Sequence, residues 1–215
     1  MKLLAISVGL PRAIEVDGRT VTTGIFKEPV EGPVYVGITG LAGDGQADLE
    51  AHGGADKAVY VYTIEHYHFW QQALECPTMP YGQFGENLTV QSMPDDRVHI
   101  GDRFRIGRLL VQITQPRVPC FKLGIRMNRP DFPRRFMRSG RTGFYFRVLE
   151  EAELSAGEMI ERISTDPIEL TVQESMQALI PGPKQKDVIA KALRVDALSQ
   201  AWRDDLEKRL RRLSR

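Results

Sequence analysis

Up to about residue 150, short apolar runs alternate with turns along the chain. Runs at 3–8, 34–38, 58–62, 87–90, 104–106, 109–114 and 144–149 are rich in β-branched and aromatic residues, and many are bounded by glycine or proline. So many short strands predict a β-barrel or sandwich-like core. Residues 65–74, EHYHFWQQAL, break the rhythm and read as a helix. Residues 98–107 (VHIGDRFRIG) and 154–163 (LSAGEMIERI) share an apolar-x-x-Gly-acidic plan. The second reads as another hairpin in preference to a short helix capped by Ser155 and Glu158.

After residue 165 the texture changes. Thr171-Val172-Gln173-Glu174 is a capping box, predicting a helix to about Ile180 that Pro181-Gly182-Pro183 stops. Two more helices fit 184–193 and 196–213. The expected organisation is a β domain over 1–165 and a three-helix module over 166–215. A module this small buries little alone, so it should pack on the β domain.

Composition narrows the picture only a little. The chain has 215 residues, 42% of them hydrophobic, and a formal net charge of +1. It is long enough to bury a core unaided, and its overall charge favours no partner. Two cysteines do not make a disulfide framework. The apolar start MKLLAISVGL is cut short by Pro11 and Arg12, unlike a signal peptide, and no run is long enough to span a membrane. A soluble, cytoplasmic protein with no membrane partner is expected.

Local charge is more telling. Between Arg117 and Arg147 stand nine Lys/Arg and a single acid, Asp131. Such a run serves equally as a solvated face or as a site for an anionic ligand. Inside it, Cys120 follows Pro116-Arg117-Val118-Pro119 and precedes Phe121-Lys122. Cations nearby favour the thiolate, the form that ligates metals, although a free cysteine is often only a small buried apolar residue. A glycine-rich stretch, GLAGDG at 40–45 and HGGADKAV at 52–59, lets backbone approach a ligand and brings in His52 and Lys57. The turn Phe84-Gly85-Glu86-Asn87 enters a strand, where Asn87 would tolerate unusual backbone angles.

Other chemistries lack their marks. There is no P-loop or dinucleotide fingerprint, no HExxH or paired CxxC, and no GxSxG elbow. His66 and His68, two apart on a helix, point in different directions. The basic segment 203–215 could grip nucleic acid, but Leu206, Leu210 and Leu213 mark it as a packed amphipathic helix, and nucleic acid is not the expected partner. The stripe Tyr67, Phe69, Trp70 reads as core. A cysteine hydrolase pairing Cys120 with His52 would need those side chains in contact.

In order, Gly-Leu-Ala-Gly-Asp, His-Gly-Gly-Ala-Asp-Lys-Ala-Val, Phe-Gly-Glu-Asn-Leu, Ile100-Gly101-Asp102 and Pro-Arg-Val-Pro-Cys resemble the MOSC family, named after the C-terminal domain of molybdenum-cofactor sulfurase. The segment Thr23–Val30 and the C-terminal helices resemble its stand-alone YiiM-like subfamily. The resemblance implies a β-barrel-like domain holding a molybdenum–pyranopterin cofactor, with Cys120 as the protein's ligand to molybdenum. Arg117, Lys57 and His52 become candidate cofactor contacts, with Gly53, Gly54, Asn87 and Lys27 beside them. His52 is also a candidate catalytic proton donor. The implied reaction reduces N-hydroxylated compounds such as 6-hydroxylaminopurine to amines. The chain shows neither iron–sulfur cysteines nor an NAD fingerprint, so a separate flavin or iron–sulfur protein is the implied electron donor. The alternative is a non-enzymatic carrier of the molybdenum cofactor.

Overall fold

The computed structural model describes residues 1–46 and 53–214. Its centre is an eight-stranded sheet in the order β13-β9-β10-β11-β7-β8-β1-β4. The strands are β1 (Lys2–Val8), β4 (Glu28–Val30), β7 (Val59–Thr63), β8 (Leu88–Gln91), β9 (Arg103–Ile106), β10 (Leu109–Pro116), β11 (Phe144–Glu150) and β13 (Ile160–Ser164). The sheet curls until its ends meet. β4 covers only the second half of β1, and the first half bonds instead to the approach to β13. There Leu3 N donates to Glu158 O (2.9 Å), Gly157 N to Leu3 O (2.8 Å) and Ile160 N to Met1 O (3.0 Å). Closure satisfies backbone groups that an open edge would leave exposed.

Neighbouring strands run antiparallel except β7 and β8. Parallel neighbours need a crossover, and helix α1 (Ile64–Ala73) supplies it. A three-stranded sheet, β12 (Ala152–Leu154), β5 (Val34–Gly37) and β6 (Gly40–Leu41), adds Val34, Val36, Leu41 and Leu154 to the barrel's core. β2 (Arg12–Val16) and β3 (Arg19–Thr23) form a mostly exposed hairpin about Asp17-Gly18.

β7 is buried along its whole length, VYVYT, so both of its faces need apolar neighbours. Val59 and Val61 face the main core with Ile113, Phe144 and Phe146. Tyr60 and Tyr62 face a second cluster with Tyr67, Trp70, Phe84, Leu123, Phe132 and Phe136. The stripe on α1 divides accordingly: Tyr67 and Trp70 are buried and Phe69 is half-buried.

Three sequence expectations need correction. The segment 154–163 is not a hairpin: β12 pairs with β5 and β13 with β9, so the chain changes sheets at the turn between them. Glu158 still acts as a cap there, its carboxylate accepting from Ser155 N (2.6 Å) with no helix following. The basic stretch holds two helices, α2 (Phe121–Arg126) and α3 (Phe132–Ser139). The last helix, α6 (Gln200–Leu213), begins four residues later than expected, where Ser199 Oγ accepts from Trp202 N (3.2 Å). On it Leu206 is buried and Leu210 packs on the core, but Leu213 is 46% exposed.

The first C-terminal helix, α4 (Val172–Ser175), continues as a 3-10 turn through Leu179, and Thr171 caps it as the capping box predicts. With α5 (Gln185–Ala192) and α6 it packs on the barrel. Val188, Ile189, Trp202 and Leu206 belong to the same buried cluster as Val59 and Phe146. No helix among the described residues is long and apolar enough to cross a membrane.

Candidate functional site

Strand ends and the loops after them converge on a pocket with about 690 Å³ of space, its open mouth included. Thr23, Gly24, Ile25, Lys27, Asp44–Gln46, Lys57, Tyr60, Gly85, Asn87, Arg117, Val118, Cys120, Lys122 and Tyr145 supply its walls. Cys120, Arg117, Lys57, Asn87 and Lys27, far apart in sequence, therefore share one cavity. Gly54 borders an adjoining groove that shares the Asp44–Gln46 wall. It takes a left-handed conformation (φ 88°) where the 3-10 turn Ala55–Lys57 begins. Gly53 lines neither space among the described residues. His52 lies outside the described residues.

Cys120 stands where β10 gives way to α2. Pro119 disfavours helix at Val118, so the helix starts only after an extended Cys120 (φ −119°, ψ 176°). The Cys120 carbonyl then accepts from Leu123 N (3.0 Å). The half-buried thiol thus sits on a strand-to-helix corner anchored on both sides.

Arg117 is 6% exposed. Its backbone N donates to Gly143 O (3.0 Å), continuing the β10–β11 ladder. Its guanidinium lies 4.9 Å above the Tyr60 ring and 5.4 Å above Phe136, and Tyr145 lines the same pocket. Burial works against its charge, but Tyr60, Tyr145 and Cys120 outweigh that and hold it protonated. Nη1 has no hydrogen-bond partner among the described residues. A buried, unsatisfied guanidinium N–H beside a cavity is costly unless a ligand accepts from it. Burial raises the pKa of Tyr145, Arg117 lowers it in part, and the phenol stays protonated near neutral pH.

The other polar residues are largely committed to one another. Lys27 is buried and ion-paired with Asp44; burial lowers its pKa and Asp44 opposes the shift. Asp44 also accepts from Gly9 N (2.9 Å) and Asn87 Nδ2 (2.8 Å). Asn87 is not the left-handed turn residue expected. Its amide is a brace: Oδ1 accepts from Tyr60 N (3.0 Å) and Nδ2 also donates to Ser7 O (3.3 Å), tying β7 to β1. Beside it the buried Glu86 accepts from Tyr67 Oη, Gly82 N (2.9 Å), Phe84 N (3.1 Å) and Thr89 Oγ1 (3.0 Å), which fixes the turn.

Asp56 anchors the glycine-rich loop. Its carboxylate takes Arg147 Nε (2.8 Å) and Nη2 (2.6 Å), and Gln200 N at the start of α6 (3.2 Å). Thr114 Oγ1 donates to its carbonyl (2.6 Å). The C-terminal helices therefore help to position the loop that carries Lys57.

The basic run is not one anion-binding surface. Of its nine cations, Arg117 and Lys122 line the pocket. Arg147 is paired with Asp56, Arg141 covers Phe69 at 4.1 Å, and Arg129, Arg134 and Arg138 are exposed. His66 and His68 also diverge: His66 is buried against Asp95 (2.8 Å) and His68 is exposed. Sequence reasoning passed over Tyr60, Tyr145 and Asp44. For Tyr60 the available signal is the alternation within β7, which leaves tyrosines on the face opposite the valines; for Asp44 it is the glycine-rich stretch 40–45 that contains it.

A family model described as the MOSC domain matches residues 48–161, and one described as the YiiM-like, 3-alpha helix domain matches 170–213. The chain is 40% identical over 211 residues to the uncharacterized protein YflK of Bacillus subtilis, covering 98% of this chain and 95% of that one. A protein of Gibberella moniliformis named Reductase is 38% identical over 148 residues, which span 66% of this chain and 26% of that longer one. Among solved structures, YiiM from Geobacillus stearothermophilus superposes with a TM-score of 0.81 at 32% identity, covering 97% of this chain and 98% of that one.

Proposed function

The chain belongs to the MOSC domain family, and we propose that it is a molybdenum-cofactor-dependent reductase of N-hydroxylated compounds, hydroxylamines and bases such as 6-hydroxylaminopurine. The observation that carries this reading is the pocket itself. One thiol, Cys120, shares it with the buried Arg117, whose Nη1 lacks a partner among the described residues, and with Lys57 and Lys122. A thiolate is a metal ligand, and fixed cations suit an anionic cofactor tail, so the residues present fit the group. A relative named as a reductase supports the reaction class.

When bound, the cofactor supplies the redox chemistry by which R–NHOH, two electrons and two protons become R–NH2 and water. The chain's part is to hold and orient. Cys120 would hold the metal from a corner stiffened by Pro119. Arg117 offers Nη1 to an anionic oxygen, while Tyr60 and Phe136 fix its plane. The Lys27–Asp44–Asn87 brace keeps the cavity wall in place without a ligand. Tyr145 keeps its proton near neutral pH and presents a hydroxyl to the pocket.

The test is molybdenum content per chain, together with 6-hydroxylaminopurine reduction by reduced viologen, for wild type and Cys120→Ser made in a cofactor-competent host. Near-stoichiometric metal and turnover in wild type, with turnover lost in the variant, is the expected result. Metal without turnover would make the protein a cofactor carrier. A folded protein that takes up no metal would sink both readings.

A further inference from the structure

Reduction of an N–O bond needs two electrons, and two cysteines cannot build a four-cysteine iron–sulfur cluster in this chain. If the proposed reductase reading holds, on which this inference rests, electrons reach the site near Cys120 from outside these 215 residues. We propose that the pocket rim formed by Leu10, Arg12, Phe26, Val118, Phe121 and Arg126 is the docking surface for a small acidic one-electron carrier protein.

Large apolar side chains stand exposed around this opening. Leu10 is 69% exposed, Phe121 62% and Val118 41%. Phe121 directly follows Cys120, and Val118 is part of the pocket wall. Leu10 borders the wall at Gly45, where an added Cβ would lie 3.5 Å from Leu10 Cδ2. Exposed apolar groups gathered at one opening mark an interaction site better than the same groups scattered.

Cations interleave with them. Two guanidiniums contact the Phe26 ring, Arg12 at 4.2 Å and Arg126 at 5.2 Å from its centroid. Arg126 lies four residues beyond the wall residue Lys122 on α2, so the two share a face. Arg126 Nε has no hydrogen-bond partner among the described residues. The exposed acid acting on Arg126 is Glu28, so the rim carries a positive excess.

An apolar centre with charges around it is the anatomy of a protein interface. The positive sign selects an acidic partner and speeds its approach. A second copy of this chain would set the same cations against each other. A carrier seated here has its redox group over the mouth, one residue from the proposed metal ligand.

The experiment uses Arg12→Glu, Phe121→Ala, the double variant and Arg12→Lys, none of which alters a pocket-lining residue. Each cofactor-loaded protein is assayed with reduced methyl viologen and with a plant-type [2Fe–2S] ferredoxin. Binding of oxidised ferredoxin to the cofactor-free proteins is measured by calorimetry at low and high salt. Viologen-driven turnover should stay at the wild-type rate in all of them. In the double variant the ferredoxin KM and Kd should rise about tenfold or more, the scale of losing interface anchors. Arg12→Lys should retain most binding, and high salt should weaken wild-type binding. Absent viologen turnover in wild type would strike the reductase reading, while the calorimetry still decides the surface. Failure of wild type to bind ferredoxin, or equal binding by the double variant, overturns the proposal. So does a wild-type dimer that Arg12→Glu dissociates.

Discussion

Asp95 is 1% exposed, and its carboxylate holds together the connection behind the pocket. Oδ2 accepts from Thr142 N (2.9 Å) and Gly143 N (2.8 Å), and Oδ1 bonds His66 Nε2 (2.8 Å). The same two residues carry the site: Thr142 O accepts from Tyr60 Oη (2.9 Å) and Gly143 O from Arg117 N (3.0 Å). Asp95→Ala would leave two buried N–H groups without their acceptor. At about 1–3 kcal/mol for each orphaned group, the loss is about 2–6 kcal/mol. A central value of about 4 kcal/mol corresponds to a melting point roughly 8–16 °C lower in a chain of this size. Asp95→Asn keeps one carbonyl acceptor and should lose less. Urea unfolding gives the stability change, and hydrogen exchange at the Thr142 and Gly143 amides locates it. A loss below about 1 kcal/mol, the ordinary effect of a point change, with both amides as protected as in wild type, would refute the reasoning.

Four further outcomes follow from the same structure. Lys27→Met should cost about 3–5 kcal/mol by stranding the buried Asp44 carboxylate, and adding Asp44→Asn should restore most of it; an additive double-mutant cycle would count against the pair. Burial raises the Glu86 pKa, so folding takes up a proton there from about pH 4.3 upward and stability falls as pH climbs through the raised value. Glu86→Gln should remove that slope in urea titrations across pH, and an unchanged slope contradicts the assignment. Gly143→Ala should lower stability by roughly 2–4 kcal/mol, because φ is 69° and a Cβ would overlap the Val61 carbonyl; a neutral result in thermal melts would mean the turn relaxes. Leu206→Ala should cost about 2–5 kcal/mol in a single unfolding transition, since α6 shares the barrel's core. A separate early transition would mean that the helices melt alone.

The parts of the fold legible in the sequence are those whose side chains face a core. β10 shows as a run because nearly all of it is buried, β11 because its alternate residues face the core, and α1 shows through its aromatic spacing. The β2–β3 hairpin escaped for the opposite reason. Its turn, Asp17-Gly18 with both residues left-handed, is a strong hairpin signal, but the strands are mostly exposed and carry few apolar residues. α3 was hidden among prolines and arginines, although Phe132 and Phe136, four apart, are its buried stripe. The 154–163 segment contains the expected strands, but strand partners are a property of the whole sheet and not of the segment. In the pocket, Cys120, Arg117 and Lys57 were legible because glycine and proline at strand ends single out their motifs. Tyr60 and Tyr145 were not, because a tyrosine in a strand looks the same whether it faces a core or a cavity; Asp44 stands in a quoted glycine-rich motif, but its partners Lys27 and Asn87 are distant in sequence.

The seam between Met1–Leu3 and Gly157–Ile160 sets the order in which the protein can form. β1 is made long before its partner, which lies more than 150 residues later in the chain. At about 5–20 residues per second, the ribosome delivers that partner roughly 8–30 s after the first strand. β4 arrives early but shields only Ile6–Val8. Through that interval Lys2–Ala5 offers an unpaired edge to any neighbouring nascent chain. Folding should therefore end with a slow, long-range step. Sparing the cell aggregation then falls to the speed of synthesis and to chaperones, because the native state has no free edge at that seam to protect.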